Sequence, residues 1–188
     1  MVATLGKPAW RERLRSARAA VTPEEHAAAA AALARRVADL RGTVCAYRPI
    51  GGEPGSAAML TALRDAGCRV LLPVVVRGRP LDWAEYTGES GLAPAGYGLL
   101  EPTGPRLGAA AIGTADVVLV PALAVDRSGV RLGQGGGYYD RSLPLAAPGA
   151  RLIAVVGDHE LLPSLPREPH DVLVTEALTP SSGFVALG

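Results

Sequence analysis

From residue 43 onward, short apolar runs alternate with segments of helical spacing, and this alternation limits the fold more than any other feature of the chain. Residues 43–47 read as a strand, Ser56 opens a helix that Gly67 closes, and residues 69–76 read as a second strand. Strand, helix and strand at these lengths make a βαβ unit, whose crossover requires parallel pairing. Residues 81–86 alternate like a short strand. Residues 116–120 and 151–156 are compact runs of the kind buried on both faces, and 172–175 supply an expected last strand. The pattern predicts an α/β fold: three layers, α/β/α, with a mostly parallel central sheet and two helices ahead of it. Ligands in such folds lie outside the carboxyl ends of the strands. No internal repeat or long linker divides the 188 residues, so 1–188 is expected to form a single domain.

The two leading helices are marked differently. Lys7, Arg11, Arg15 and Arg18 fall on one face of residues 7–20, a basic stripe with the charges of a solvated helix. Thr22, Pro23 and Glu25 then form a capping signal, and the second helix runs to about Leu40. Lys7 is the sole lysine against eighteen arginines. A compact ammonium suits a phosphate oxygen, although a composition bias with one surviving lysine gives the same count.

Composition removes several classes. Charged residues are 20% and apolar ones 48%, which excludes a disordered chain. A net charge of +1 argues against neutralising a nucleic-acid backbone. Apolar runs such as 70–76 fall far short of the ~20 residues that span a bilayer, and no signal pattern opens the chain, so a cytoplasmic protein without membrane or nucleic-acid partners is expected. Cys45 and Cys68 lie singly in apolar segments and read as buried thiols. His26, His159 and His170 lack metal-ligand spacing, and no Gly-x-Ser-x-Gly elbow is present.

Chemistry concentrates in residues 120–141. Gly133, Gly135, Gly136 and Gly137 occur within five positions, between an expected strand and an expected helix, where successive backbone N–H groups can converge on an anion. Arg131 and Arg141 add charge, and Asp140 can hold Mg2+ against phosphate oxygens. Neither the Walker A pattern nor the dinucleotide fingerprint is matched; a glycine-rich turn is the alternative, made less attractive by the two tyrosines that follow the glycines. Glu53 follows a strand end, where ligands or an exposed turn both place carboxylates. Asp171, at the mouth of the last strand, either joins Asp140 on Mg2+ or shapes a turn.

These residues resemble the 5-formyltetrahydrofolate cyclo-ligase family, also called methenyltetrahydrofolate synthetases. The resemblance rests on Arg131-Leu-Gly-Gln-Gly-Gly-Gly-Tyr-Tyr-Asp-Arg141, preceded by Pro121-Ala-Leu-Ala-Val-Asp126. Lys7-x-x-x-Arg11, Tyr47-x-Pro-x-x-x-Glu53, Leu72-Pro73-Val74, Tyr97-Gly-Leu-Leu-Glu-Pro102 and His170-Asp171 with Val174-Thr-Glu176 support it in order along the chain. It implies an ATP- and Mg2+-dependent conversion of 5-formyltetrahydrofolate to 5,10-methenyltetrahydrofolate through a phosphorylated formyl group, releasing ADP and phosphate. It places ATP on Lys7, Arg11, Arg131, Leu132, Gly133, Gln134, Gly135, Gly136, Gly137, Tyr138 and Tyr139. The folate falls to Arg48, Glu53, Gln134, Gly135, Gly136, Gly137 and Tyr138, and Mg2+ to Asp140 and Asp171. Trp83 and Tyr97 are candidates to stack on the pterin or simply to pack.

Three departures accompany the resemblance. Gln134 stands where the family usually has arginine, Pro54 follows Glu53 where a small aliphatic residue is common, and the tail from His170 to Glu176 is shorter than the common pattern. A paralogue acting on another formyl or amide substrate, and a non-catalytic nucleotide- or folate-binding module, stay open beside the cyclo-ligase. A monomer or weak homodimer is expected.

Overall fold

Helix α1 (Lys7–Ala19) starts without a side-chain cap but with Pro8 in its first turn, where a missing N–H costs no hydrogen bond. The computed structural model describes residues 5–188. Helix α2 (Pro23–Val37) has the capping box expected of its sequence: Glu25 N–H donates to Thr22 Oγ1, and Thr22 N–H donates to Glu25 Oε2. Strand β1 (Thr43–Cys45), helix α3 (Ala57–Asp65) and strand β2 (Arg69–Val74) form the βαβ unit, with Thr43 opposite Arg69. Ser56 caps α3, and its end is closed by N–H groups of Gly67 and Cys68 on the carbonyls of Arg64 and Leu63.

The chain continues through β3 (Asp82–Glu85), antiparallel to β2, and a separate hairpin of β4 (Leu92–Pro94) and β5 (Leu100–Pro102). It re-enters the sheet as β6 (Val117–Pro121), then forms β7 (Ala124–Asp126), β8 (Arg131–Leu132) and the short helix α4 (Tyr138–Ser142). Strands β9 (Arg151–Val155), β10 (Leu161–Leu162), β11 (Glu176–Thr179) and β12 (Gly183–Ala186) complete it. The large sheet has the order β12-β11-β9-β6-β1-β2-β3, parallel inside and antiparallel at both outer strands. A small sheet, β10-β7-β8, stands apart from it.

Among the parallel strands the chain winds outward in two directions from the β1/β6 boundary. That boundary is the topological switch point, where the connections leaving β1 and β6 diverge and open a crevice.

On one face Leu33, Val37, Met59 and Leu60 of α2 and α3 pack on Val44, Leu72, Leu119 and Ile153. The opposite layer is thinner than an α/β/α sandwich suggests. Ile112 and Leu143, from 3-10 turns at Ala109–Thr114 and Leu143–Leu145, cover Val118, Val120 and Ala154 there. Helix α1 lies outside both layers, with Leu14 against Leu123, Ala124, Val130 and Leu132 at the small sheet. Leu14 is its one buried side chain, with Trp10 partly buried against the same cluster, and full burial of a leucine contributes only about 1.5–3 kcal/mol. Polar contacts must therefore fix where α1 sits.

Two expectations are corrected. Residues 172–175 are not a strand; the last parallel strand begins at Glu176 and is followed by the antiparallel β12. The apolar run instead joins the β7–β8 turn to β9, with Val174 N–H on Gly129 O and Thr175 N–H on Leu152 O. Glu176, too polar to announce a strand, is satisfied within the sheet by Arg151 at 2.7 and 2.6 Å. The helix after the glycines has only five residues, and two strands of the small sheet, β7 and β8, are interposed before it.

Candidate active site

The glycine segment takes its starting point from a buried carboxylate. Asp126 Oδ1 accepts from Ser128 N–H, Ser128 Oγ and Val130 N–H, while Oδ2 accepts from Leu165 N–H at 2.8 Å. This fixes the β7–β8 turn, and β8 delivers the chain to residues 133–137. Gly135 and Gly137 have φ of +104° and +67°, conformations that side chains resist, and a Cβ on Gly137 would meet Arg141 Nη1 at 2.8 Å. Among the described residues, no amide N–H of residues 133–137 finds a protein acceptor. Five consecutive unpaired donors at the surface are available to an anion.

Those amides line a cavity of about 710 Å3 at the switch point. Pro121 and Ala122 bound it at the end of β6, and Tyr47 and Arg48 just beyond β1. Lys7, Arg11, Arg48, Glu53, Asp171 and every residue of 131–140 lie on its wall, so the residues expected to hold ATP, folate and Mg2+ are brought to one place, while Arg141 lies off the wall. Trp83 does not line the cavity; it is fully buried in the core. Tyr97 stands at the cavity wall, 77% exposed and with φ of +61°.

The basic stripe of α1 is not a solvated face. Lys7 Nζ donates to Asp171 Oδ1 and Oδ2 at 2.7 and 2.8 Å and to Glu168 Oε2 at 2.8 Å. Arg11 Nε donates to Gly133 O, Arg15 to Gln134, and Arg18 to Glu160 and Ala122 O. Burial works against the charge of Lys7, but its hydrogen bonds to the two carboxylates outweigh it and raise its pKa. Burial likewise opposes the charge of Asp171, and Lys7 together with the Glu168 N–H holds its pKa low. Glu168, His170 and Asp171 each bring a ligand atom within 4.8 Å of the others, and Lys7 already bridges the two carboxylates.

Arg131 is almost wholly buried, which lowers its pKa, and Asp140 at 2.5 Å opposes that shift. Arg131 Nε and Tyr139 OH are buried without a hydrogen-bond partner among the described residues. Also on the cavity wall, Tyr47 OH donates to Pro54 O and closes the turn that presents Glu53. Glu53 Oε2 accepts from Ile50 N–H, and no cationic group pairs with the carboxylate among the described residues. Burial raises the Glu53 pKa, against the opposing Ile50 N–H and the charge of Arg18. Arg48 reaches Glu89 at 3.1 Å.

Arg15 and Glu168 were not among the sequence candidates for the site. Arg15 had a signal in its place on the stripe, one turn beyond Arg11; Glu168 had none, because its partner Lys7 lies 161 positions away.

Residues 3–180 match the model of the 5-formyltetrahydrofolate cyclo-ligase family. The chain belongs to this family. It is 56% identical over 150 residues to a 5-formyltetrahydrofolate cyclo-ligase of Mycolicibacterium smegmatis, covering 77% of each chain. It is 29% identical over 176 residues to a cyclo-ligase of the same description from Escherichia coli, covering 89% of this chain and 97% of that one. In fold it resembles the 5,10-methenyltetrahydrofolate synthetase of Aquifex aeolicus, with a TM-score of 0.80, 24% identity, and 94% and 91% of the two chains covered. The corresponding protein of Mycoplasma pneumoniae gives a TM-score of 0.71 at 18% identity, over 90% and 96% of the chains. These structural neighbours share with it the mostly parallel sheet.

Proposed function

We propose that this chain is a 5-formyltetrahydrofolate cyclo-ligase that closes its substrate to 5,10-methenyltetrahydrofolate, coupled to cleavage of ATP to ADP and phosphate. The observation that carries the reading is one cavity lined by two chemically opposite sets of groups. One set is Lys7, Arg11, Arg131 and the unpaired amides of residues 133–137, and the other is a half-buried carboxylate, Glu53, with no cation paired to it among the described residues.

The cationic groups take the triphosphate. Amides 133–137 cradle its oxygens, Lys7 and Arg11 approach from α1, and Tyr138 and Tyr139 lie beyond the glycines. Glu53 accepts paired hydrogen bonds from the 2-amino group and adjacent ring N–H of the pterin, and Arg48 lines the same pocket. An amide oxygen is a weak nucleophile, so the chain's task is to hold the formyl oxygen in line with the γ-phosphorus and to neutralise charge on the phosphates. The formyl oxygen attacks phosphorus and ADP leaves; N10 of the folate then adds to the activated carbon, N10 loses its proton, and phosphate departs with its oxygen.

Asp140 fits a metal: it is partly exposed beside the glycines, and its second oxygen makes no hydrogen bond among the described residues. Asp171 is the second candidate ligand, reached once Lys7 leaves it for a phosphate. Mg2+ at these carboxylates would draw charge from the phosphate oxygens. No helix among the described residues is long and apolar enough to cross a membrane. The reading assigns a cytoplasmic protein, monomeric or weakly dimeric, with a small-molecule substrate and no nucleic-acid partner.

The test mixes the pure protein with 5-formyltetrahydrofolate and MgATP and follows the ultraviolet absorbance of the methenyl product, omitting each component in turn. A rise that needs all of them is expected. A rise without ATP, or none while ATP still binds, would overturn the reading in favour of another substrate or a binding module.

A further inference from the structure

Arg15 meets the tip of the glycine loop twice. Its Nε donates to Gln134 Oε1 and its Nη2 to the Gln134 main-chain oxygen, both at 3.1 Å. One turn earlier, Arg11 Nε donates to Gly133 O at 2.9 Å. Two consecutive loop carbonyls are thereby drawn toward α1. A peptide group is planar and trans, so the N–H across each carbonyl points the opposite way. The N–H groups of Gln134 and Gly135 are therefore turned away from α1, and both belong to the unpaired set.

The same contact orients the Gln134 side chain. A guanidinium carries donors only, so the carboxamide must give it the oxygen, and the NH2 end is left free beside the cavity that Gln134 lines. Arg15 itself does not line the cavity.

We infer that Arg15 is a positioning residue, whose forked grip on Gln134 aims the carboxamide NH2 and the Gly135 N–H at the oxyanions of a nucleoside triphosphate. A neutral side chain at position 134 then works because a guanidinium behind it fixes which end faces the ligand. The inference rests on the nucleotide reading of the cavity and adds to it a residue that acts only through the loop.

Two measurements test it on the full chain: steady-state kinetics, and hydrogen exchange of residues 133–137 with and without MgATP. In the wild type MgATP is expected to protect these amides. Arg15→Gln should raise KM for MgATP about fivefold, the scale of one net hydrogen bond, weaken the MgATP-dependent protection, and leave kcat and the thermal midpoint close to wild type. Arg15→Lys keeps the charge but cannot fork, so its KM should stay raised. An unchanged KM and full protection in Arg15→Gln, or a wild-type KM in Arg15→Lys, would overturn the inference. Absence of MgATP protection in the wild type would instead remove the nucleotide reading, and this inference with it.

Discussion

The Asp140 carboxylate neutralises the nearly buried Arg131 guanidinium, so replacing it acts on the fold as well as on the site. Asp140→Ala should cost about 1–2 kcal/mol in urea unfolding, less than a fully buried pair because Asp140 is one-third exposed. Turnover should fall about a hundredfold; Asp140→Asn, which still offers Arg131 an oxygen, should recover stability but not turnover. Glu53 gives a pH signature. Its folded pKa lies above the ordinary 4.5, so its ionisation destabilises the fold progressively as pH rises from 4.5 through the raised value. Pterin donors need the ionised form, so the folate KM should rise as pH falls through the same value. Glu53→Gln should raise that KM and flatten both dependences, measured by chemical denaturation and by initial rates across pH. At this scale the site was legible where its residues are contiguous, as in 131–140. It was illegible where a partner is remote: Gln134 is joined to Arg15 across 119 positions, and neither side chain announces the other.

Helix α1 is the element whose meaning changed most between sequence and structure. Its stripe was readable as a pattern, but only the fold shows it facing the glycine loop rather than water, because the apolar packing of Leu14 and a partly buried Trp10 does not reveal which way four cations turn. The Arg18–Glu160 pair, with side chains about 10% exposed, anchors its far end. Arg18→Met should cost about 3 kcal/mol by leaving Glu160 buried and unpaired. Arg18→Met combined with Glu160→Met should recover most of that loss in thermal unfolding. The near end obeys a pH window. Asp171 has a depressed pKa, so its share of the docking is present above 3.8 and lost as pH falls through its lower folded value. Lys7 has a raised pKa, so its share is complete below 10.5 and lost as pH rises through its higher folded value. Proteolysis within α1 should accelerate outside that window and stay level inside it.

For the whole molecule, the parallel sheet and the placing of ligands at strand ends were legible from alternation alone, since buried parallel strands need continuous apolar runs. The switch point was not, because strand order depends on which neighbours pair, a long-range choice that periodicity does not encode. A cavity built from the ends of β1 and β6 and from α1 ties ligand binding to global stability. MgATP at about a hundred times its dissociation constant should add ~2.7 kcal/mol, seen as a concentration-dependent rise in the thermal midpoint that Lys7→Ala reduces. The two antiparallel outer strands of the sheet have a different consequence. Each is four residues long; β3 carries Asp82 and Glu85, and Ala84 is already bridged by Arg106. A foreign strand seeking to extend the sheet finds a short, charged, partly occupied template at β3, so the long apolar strands inside are shielded from the edge-to-edge growth that leads to aggregation.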